Sequence, residues 1–172
     1  IEQIKQLDPA RHCGLKVFMG ASTGDLLVED PGALDLIFQH APTLIATHCE
    51  SGPVMLQNER EILRAKDVLT IEDHPRVRDV EACFAASEYA VGLAKKHGSQ
   101  LHVLHITTAK ELDLFSPGPI DDKNITAEAC VHHLWFTDDD YPRLGNFIKC
   151  NPAIKSRQDR DALIEALRTG RI

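Results

Sequence analysis

Apolar and polar positions alternate in blocks along the chain. Three short apolar runs carry a residue able to hold a metal: Leu15-Lys16-Val17-Phe18-Met19, Leu44-Ile45-Ala46-Thr47-His48 and Leu101-His102-Val103-Leu104-His105. Each predicts a buried strand, and each is followed by a polar or Gly-rich loop and then a helical pattern. Ile125-Thr126-Ala127-Glu128-Ala129-Cys130 predicts a fourth strand, running into Val131-His132-His133. Asp30-Pro31 opens a helix to about His40, with Asp as the cap and Pro in the first turn. Residues 52–74 read as a polar insertion, partly helical. An amphipathic helix is predicted from near Pro75, with Val80, Cys83, Phe84, Ser87, Val91 and Ala94 on one face and Gly98 as its stop. Thr108-x-x-Glu111 predicts a capping box before a short helix. Ser156-x-x-Asp159 caps a last helix whose inner face is read as Leu163, Ile164 and Leu167. Gly170-Arg171-Ile172 reads as the turn into another strand.

The pattern is four β/α units and the start of a fifth, which implies an α/β fold with parallel strands in a single domain, 1–172. Two closures fit: an open doubly wound sheet or a barrel. A full eight-fold barrel takes ~250 residues, and this chain has 172. About half a barrel is therefore expected, as a fragment.

Composition narrows the function. The net charge of −7 argues against a nucleic-acid partner, which would meet a basic face. No apolar run approaches the ~20 residues that span a bilayer. The first residues do not resemble a secretory signal. Five cysteines, an odd number with no C-x-x-C pair, favour free thiols and a cytoplasmic setting over a disulfide scaffold.

In parallel α/β proteins the carboxyl ends of the strands face one common site. Lys16, His48 and His105 are therefore expected to converge there. A lysine inside Leu-Lys-Val-Phe-Met either snorkels from a strand edge or is buried as a neutral amine. A buried neutral amine can add carbon dioxide, giving a carbamate able to bridge two cations. Imidazole is a standard zinc ligand, although a lone strand-end histidine is more often structural. His102 reads as deeper core. Glu128, inside the fourth strand, reads as a buried carboxylate in need of a partner. His132-His133 follows that strand, to contact the site or to cap a loop. Asn151 in Lys149-Cys150-Asn151-Pro152 offers a donor and an acceptor to a cyclic amide, or is an ordinary turn residue. The charged clusters at 137–140 and 157–161 read as solvated faces.

At these residues the chain resembles the dihydroorotases of the amidohydrolase superfamily. The matching segments are Gly14–Gly20, Thr47–Glu50, His102–Thr108, Thr126–His133 and Lys149–Pro152, in the family's order. The resemblance implies a partial (β/α)8 TIM barrel, about strands four to seven, lacking the first and last strands. It implies two zinc ions per complete site, with Lys16 as the carboxylated bridge and His48 and His105 on the second metal. It implies a ring-binding role for Asn151, and places Glu128, with His133, near the metals. The implied reaction is reversible hydrolysis of dihydroorotate to N-carbamoyl-L-aspartate in pyrimidine biosynthesis. The partner is a small molecule, and a homo-oligomer is compatible. The family's His-x-His pair and its last-strand aspartate are absent here, so the fragment alone is expected to be inactive. Hydantoinases, dihydropyrimidinases and allantoinases share the lysine and histidines. Hydantoinases tend to carry a tyrosine in the loop after the lysine strand, where this chain has Gly20-Ala21-Ser22-Thr23. A non-catalytic scaffold relative is the reading from another class.

Overall fold

Four parallel strands lie side by side in chain order: β1 (Leu15–Met19), β2 (Ile45–Cys49), β3 (Leu101–Val103) and β4 (Ile125–Ala127). The computed structural model describes residues 1–20 and 24–172. The loop residues 21–23, on which the contrast with hydantoinases rests, lie outside that description. Sequential order is what a barrel wall gives; a doubly wound sheet reverses its order at a switch point. The helices are α1 (Glu2–Lys5), α2 (Pro31–His40), α3 (Gly52–Ala65), α4 (His74–Val77), α5 (Val80–His97), α6 (Tyr141–Leu144) and α7 (Arg157–Arg168).

Strand geometry divides the side chains between two faces, because successive residues point to opposite sides. Val17, Met19, Ile45, Leu101, Val103 and Ala127 share one face and are buried. They form one cluster with Leu34, Ile37 and Phe38 of α2, Ala90, Val91 and Ala94 of α5, and Leu163 and Ala166 of α7. The other face carries Lys16, Phe18, Ala46, His48, His102 and Thr126. Cross-strand pairing sets Lys16 beside Ala46, Ala46 beside His102, and His102 beside Thr126. Phe18 pairs with His48 one layer nearer the carboxyl ends.

The helix ends follow local chemistry. Asp30 accepts from Ala33 N at 2.7 Å, capping α2. The long helix begins at Val80 rather than near Pro75, because Asp79 caps it by accepting from Ala82 N at 2.8 Å. Pro75 instead sits in the first turn of α4, which ends at Arg78 with non-helical angles. Gly98, at φ 70°, closes α5 as expected. The polar insertion is largely the regular helix α3. Thr108 and Glu111 exchange the bonds of a capping box, with Glu111 N donating to Thr108 Oγ1 at 3.1 Å and Thr108 N to Glu111 Oε2 at 3.2 Å.

Several expectations are corrected. In α7 only Leu163 of the three named residues is buried, while Ile164 and Leu167 are exposed. The buried stripe runs through Asp159, Leu163 and Ala166, so the helix is turned toward its cap. Asp159 is not solvated either: it accepts from Ser156 Oγ and from Ala109 N at 2.8 Å. β3 and β4 stop at Val103 and Ala127, short of the predicted ends. Residues 171–172 form no strand; Arg171 N bonds back to Ala166 O at 2.9 Å.

Candidate metal centre

The polar face of the sheet gathers the histidines. His48 lies near the carboxyl end of β2 and is 6% exposed. Its Nε2 donates to Glu50 Oε2 at 2.8 Å. A carboxylate only accepts, so this bond places the proton on Nε2 and leaves Nδ1 as a bare lone pair. That Nδ1 faces His105 Nε2 at 3.1 Å, with the rings edge to face and their centroids 4.8 Å apart.

Strand parity alone would not bring His105 there. Position 105 is two residues beyond Val103 and belongs to the helix-facing side. The backbone turns instead: His105 has φ 40°, in the left-handed region that non-glycine residues seldom enter. That turn delivers its ring to His48. His105 Nδ1 is buried with no hydrogen-bond partner. Burial, with His48 and Lys16 nearby, holds the imidazole down at about 4. At neutral pH the ring therefore stays neutral, which is the form that binds a cation.

Two nitrogens bound to one tetrahedral zinc at 2.0–2.1 Å lie about 3.3 Å apart. The observed 3.1 Å between His48 Nδ1 and His105 Nε2 fits that edge. Glu50 completes a familiar arrangement, in which a carboxylate holds the far nitrogen of a ligating histidine and fixes its tautomer. Glu50 is itself fully buried and ion-paired with Arg78. Sequence reasoning quoted Glu50 but gave it no role, and it missed Arg78. The signal for Glu50 was its place two residues after His48, which keeps both on one side of the chain.

Lys16 lies on the same face, and its strand neighbour Phe18 has its ring 6.3 Å from that of His48. Its side chain is exposed rather than buried, with Nζ 4.6 Å above the Phe18 ring. β1 is an edge strand of the sheet, so among the described residues no further strand covers its polar side. Partial burial still lowers the amine below the usual lysine range, against the pull of Cys49 and Glu128.

Glu128 is exposed, contrary to the buried carboxylate expected. It accepts from His102 Nε2 at 3.3 Å, while His102 Nδ1 accepts from Thr126 Oγ1 at 2.8 Å. His102 is half-buried, one layer below His48. His133 is buried but is tied elsewhere: its Nε2 donates to Pro152 O at 3.0 Å. Asn151, next to that proline, is exposed. The structure thus brings His48 and His105 into contact and sets Lys16 on their face. It ties His133 to the Asn151 turn. The five cysteines are all unpaired. No helix among the described residues is long and apolar enough to cross a membrane.

No protein-family model matches the chain. An allantoinase from Deinococcus radiodurans is 30% identical over 179 residues, covering 98% of this chain and 39% of that protein. A dihydroorotase from Halobacterium salinarum is 31% identical over 159 residues, covering 91% of this chain and 35% of the relative. Among solved structures, the L-hydantoinase (dihydropyrimidinase) from Arthrobacter aurescens superposes with a TM-score of 0.88 at 24% identity, over 99% of this chain and 39% of that one. The chain thus spans well under half the length of the proteins it matches. Their strands continue around a barrel, and the four strands here follow part of that wall. By descent and by fold, the chain belongs with the cyclic amide hydrolases of the amidohydrolase superfamily, as a portion of their (β/α)8 barrel.

Proposed function

We propose that this chain is the central part of a dihydroorotase, lacking the first and last barrel strands, and that it supplies part of a two-zinc site. The observation that carries the metal reading is the 3.1 Å approach of His48 Nδ1 to His105 Nε2. In this reading both histidines hold one zinc, with Glu50 fixing the His48 tautomer. Lys16, as a carbamate, would be the further ligand that this face offers to the metals. Zinc, when bound, supplies Lewis acidity to the ring carbonyl and activates water. Asn151 binds the dihydroorotate ring through its donor and acceptor. Glu128 supports the site from its margin, where it holds His102. The substrate is a small cyclic amide, and the unpaired cysteines support a cytoplasmic setting. Retention of all three candidate ligands weighs against a scaffold relative.

Dihydroorotate is favoured by the Asn151-Pro152 segment. A second reading, allantoin as substrate, is supported by the Deinococcus relative, which matches nearly the whole chain. Assaying the complete barrel protein with both compounds separates them: the reading predicts turnover of dihydroorotate, and turnover of allantoin alone would overturn it. Lys16→Ala in that protein should lose metal and most activity, with partial rescue by short carboxylic acids standing in for the carbamate. Full activity in Lys16→Ala would overturn the bridging role. Asn151→Ala should mainly raise KM, by roughly 1–3 kcal/mol for a lost buried polar contact in the bound complex. The 172-residue chain alone is proposed to show no turnover, because it holds ligands for one zinc and only the bridge toward the other.

A further inference from the structure

A second cluster of ligating groups lies just beyond β4, separate from the His48–His105 pair. Cys130 Sγ and one ring nitrogen each of His132 and His133 lie within 4.8 Å of one another. The loop is held in shape by a turn, in which His133 N donates to Cys130 O at 2.9 Å. The two imidazole rings lie close together, with centroids 4.2 Å apart.

His133 is the fixed point of this cluster. It is 4% exposed, and its Nε2 donates to the carbonyl of Pro152 at 3.0 Å. A carbonyl cannot donate, so the proton is on Nε2 and the lone pair is on Nδ1. Nδ1 is buried and has no hydrogen-bond partner. An imidazole whose far N–H is held by a backbone carbonyl, with a bare nitrogen turned inward, is oriented as metal-binding histidines are. An unpartnered buried acceptor otherwise costs free energy, and a cation would satisfy it.

We propose that Cys130, His132 and His133 form a binding site for a thiophilic divalent cation of the zinc class. One thiolate and two imidazoles suit zinc or cobalt and not magnesium or calcium, which prefer oxygen. On a tetrahedral zinc the donors would draw in to about 3.3–3.6 Å. Cys130 and His132 are only partly buried and can turn to do so around the anchored His133. Binding would displace the Cys130 thiol proton to solvent. Cys150 does not supply a fourth ligand: its Sγ lies 3.6 Å from His133 Nε2, on the opposite edge of the ring, and donates to Pro152 O at 3.3 Å. The fourth position is left to water.

Titration of the reduced 172-residue chain with cobalt(II), followed by absorption, tests the site. A near-ultraviolet thiolate-to-cobalt charge-transfer band is expected. It should vanish in Cys130→Ser and survive in His48→Ala, which removes the other site. His132→Ala should weaken binding by at least roughly tenfold, the lower end of what losing even an outer-shell partner costs. Far-ultraviolet circular dichroism checks that each variant remains folded, and His132→Ala, at a half-buried position, provides the test independent of Cys130. Absence of the band in the unaltered chain, its persistence in folded Cys130→Ser, its loss in folded His48→Ala, or unweakened binding in His132→Ala would each overturn the proposal.

Discussion

The two faces of the four-stranded sheet are built from the same strands and do opposite work. On the helix-facing side, Ile45, Leu101 and Val103 have no exposed surface and pack into a continuous apolar cluster. On the other side, residues of the same strands are polar, aromatic or small, and Lys16 is exposed, as is Glu128 just past the end of β4. Period-two alternation makes this separation possible: one residue stabilises the fold and the next is free to carry chemistry. The exception is instructive. His105 has the parity of the stabilising side and reaches the chemical side only through a left-handed backbone turn.

Substitutions on the two faces should therefore fail in different ways. The largest effect on stability is expected from Leu101→Ala, which empties a fully buried site and should cost about 2–5 kcal/mol in denaturant unfolding. A loss below 1 kcal/mol would break the contrast between the faces. Arg78→Ala comes next. It strands the buried Glu50 carboxylate beside His48 and should cost about 3 kcal/mol, the low end for breaking a buried pair because the arginine is partly solvated. Glu50→Gln combined with Arg78→Ala should recover part of that loss, since the unpaired charge is gone. Lys16→Ala sharpens the comparison from the other face. It should change stability by less than about 0.5 kcal/mol, as exposed positions do, even while removing the proposed bridge. A further effect concerns pH. Asp73 is held down at about 2; burial opposes this, but Lys66 and the Thr70 backbone and hydroxyl prevail. Because its folded value lies below the unfolded ~3.9, its contribution is complete above about pH 4 and is lost as pH falls toward 2. Asp73→Asn should thus lower stability at pH 7 and converge with the unaltered chain near pH 2. A gap that is constant with pH would deny the linkage.

Much of the fold could be read from pattern. The β1 run and the caps at Asp30 and Ser156 lie where periodicity and side-chain chemistry put them, because both are local properties. Errors came where two local solutions were equally good. Pro75 and Asp79 are both sound helix openers, and the chain uses both, one for α4 and one for α5. On α7, the stripe through 163, 164 and 167 is the more apolar, yet the buried bond of Asp159 to Ala109 turns the helix toward 159, 163 and 166. The site was legible as residue types but not as geometry. Strand-end position suggested that His48 and His105 would meet, yet the means, a positive φ at His105, leaves no mark on hydrophobic spacing. Arg78 was invisible because its partner Glu50 is 28 residues away in the chain. For Lys16 two readings stayed open, because an apolar run tells that a strand is flanked by core on one side, not what covers the other; its exposed side chain on the edge strand fits the snorkelling one.

The side-by-side order of the strands also has a consequence in time. A ribosome releases the chain from its amino end at about 5–20 residues per second. With spatial order equal to chain order, each strand can dock on the edge left by the one before it, without waiting for a later segment to be inserted between them. β1 and β2 can pair while β3 is still unmade. His105, however, follows His48 by 57 residues, so the imidazole pair comes together about 3–11 s later in synthesis. During that interval the open edge of β2 is the exposed surface a nascent chain must protect, and the arrival of β3 covers the edge and assembles the histidine pair in one event.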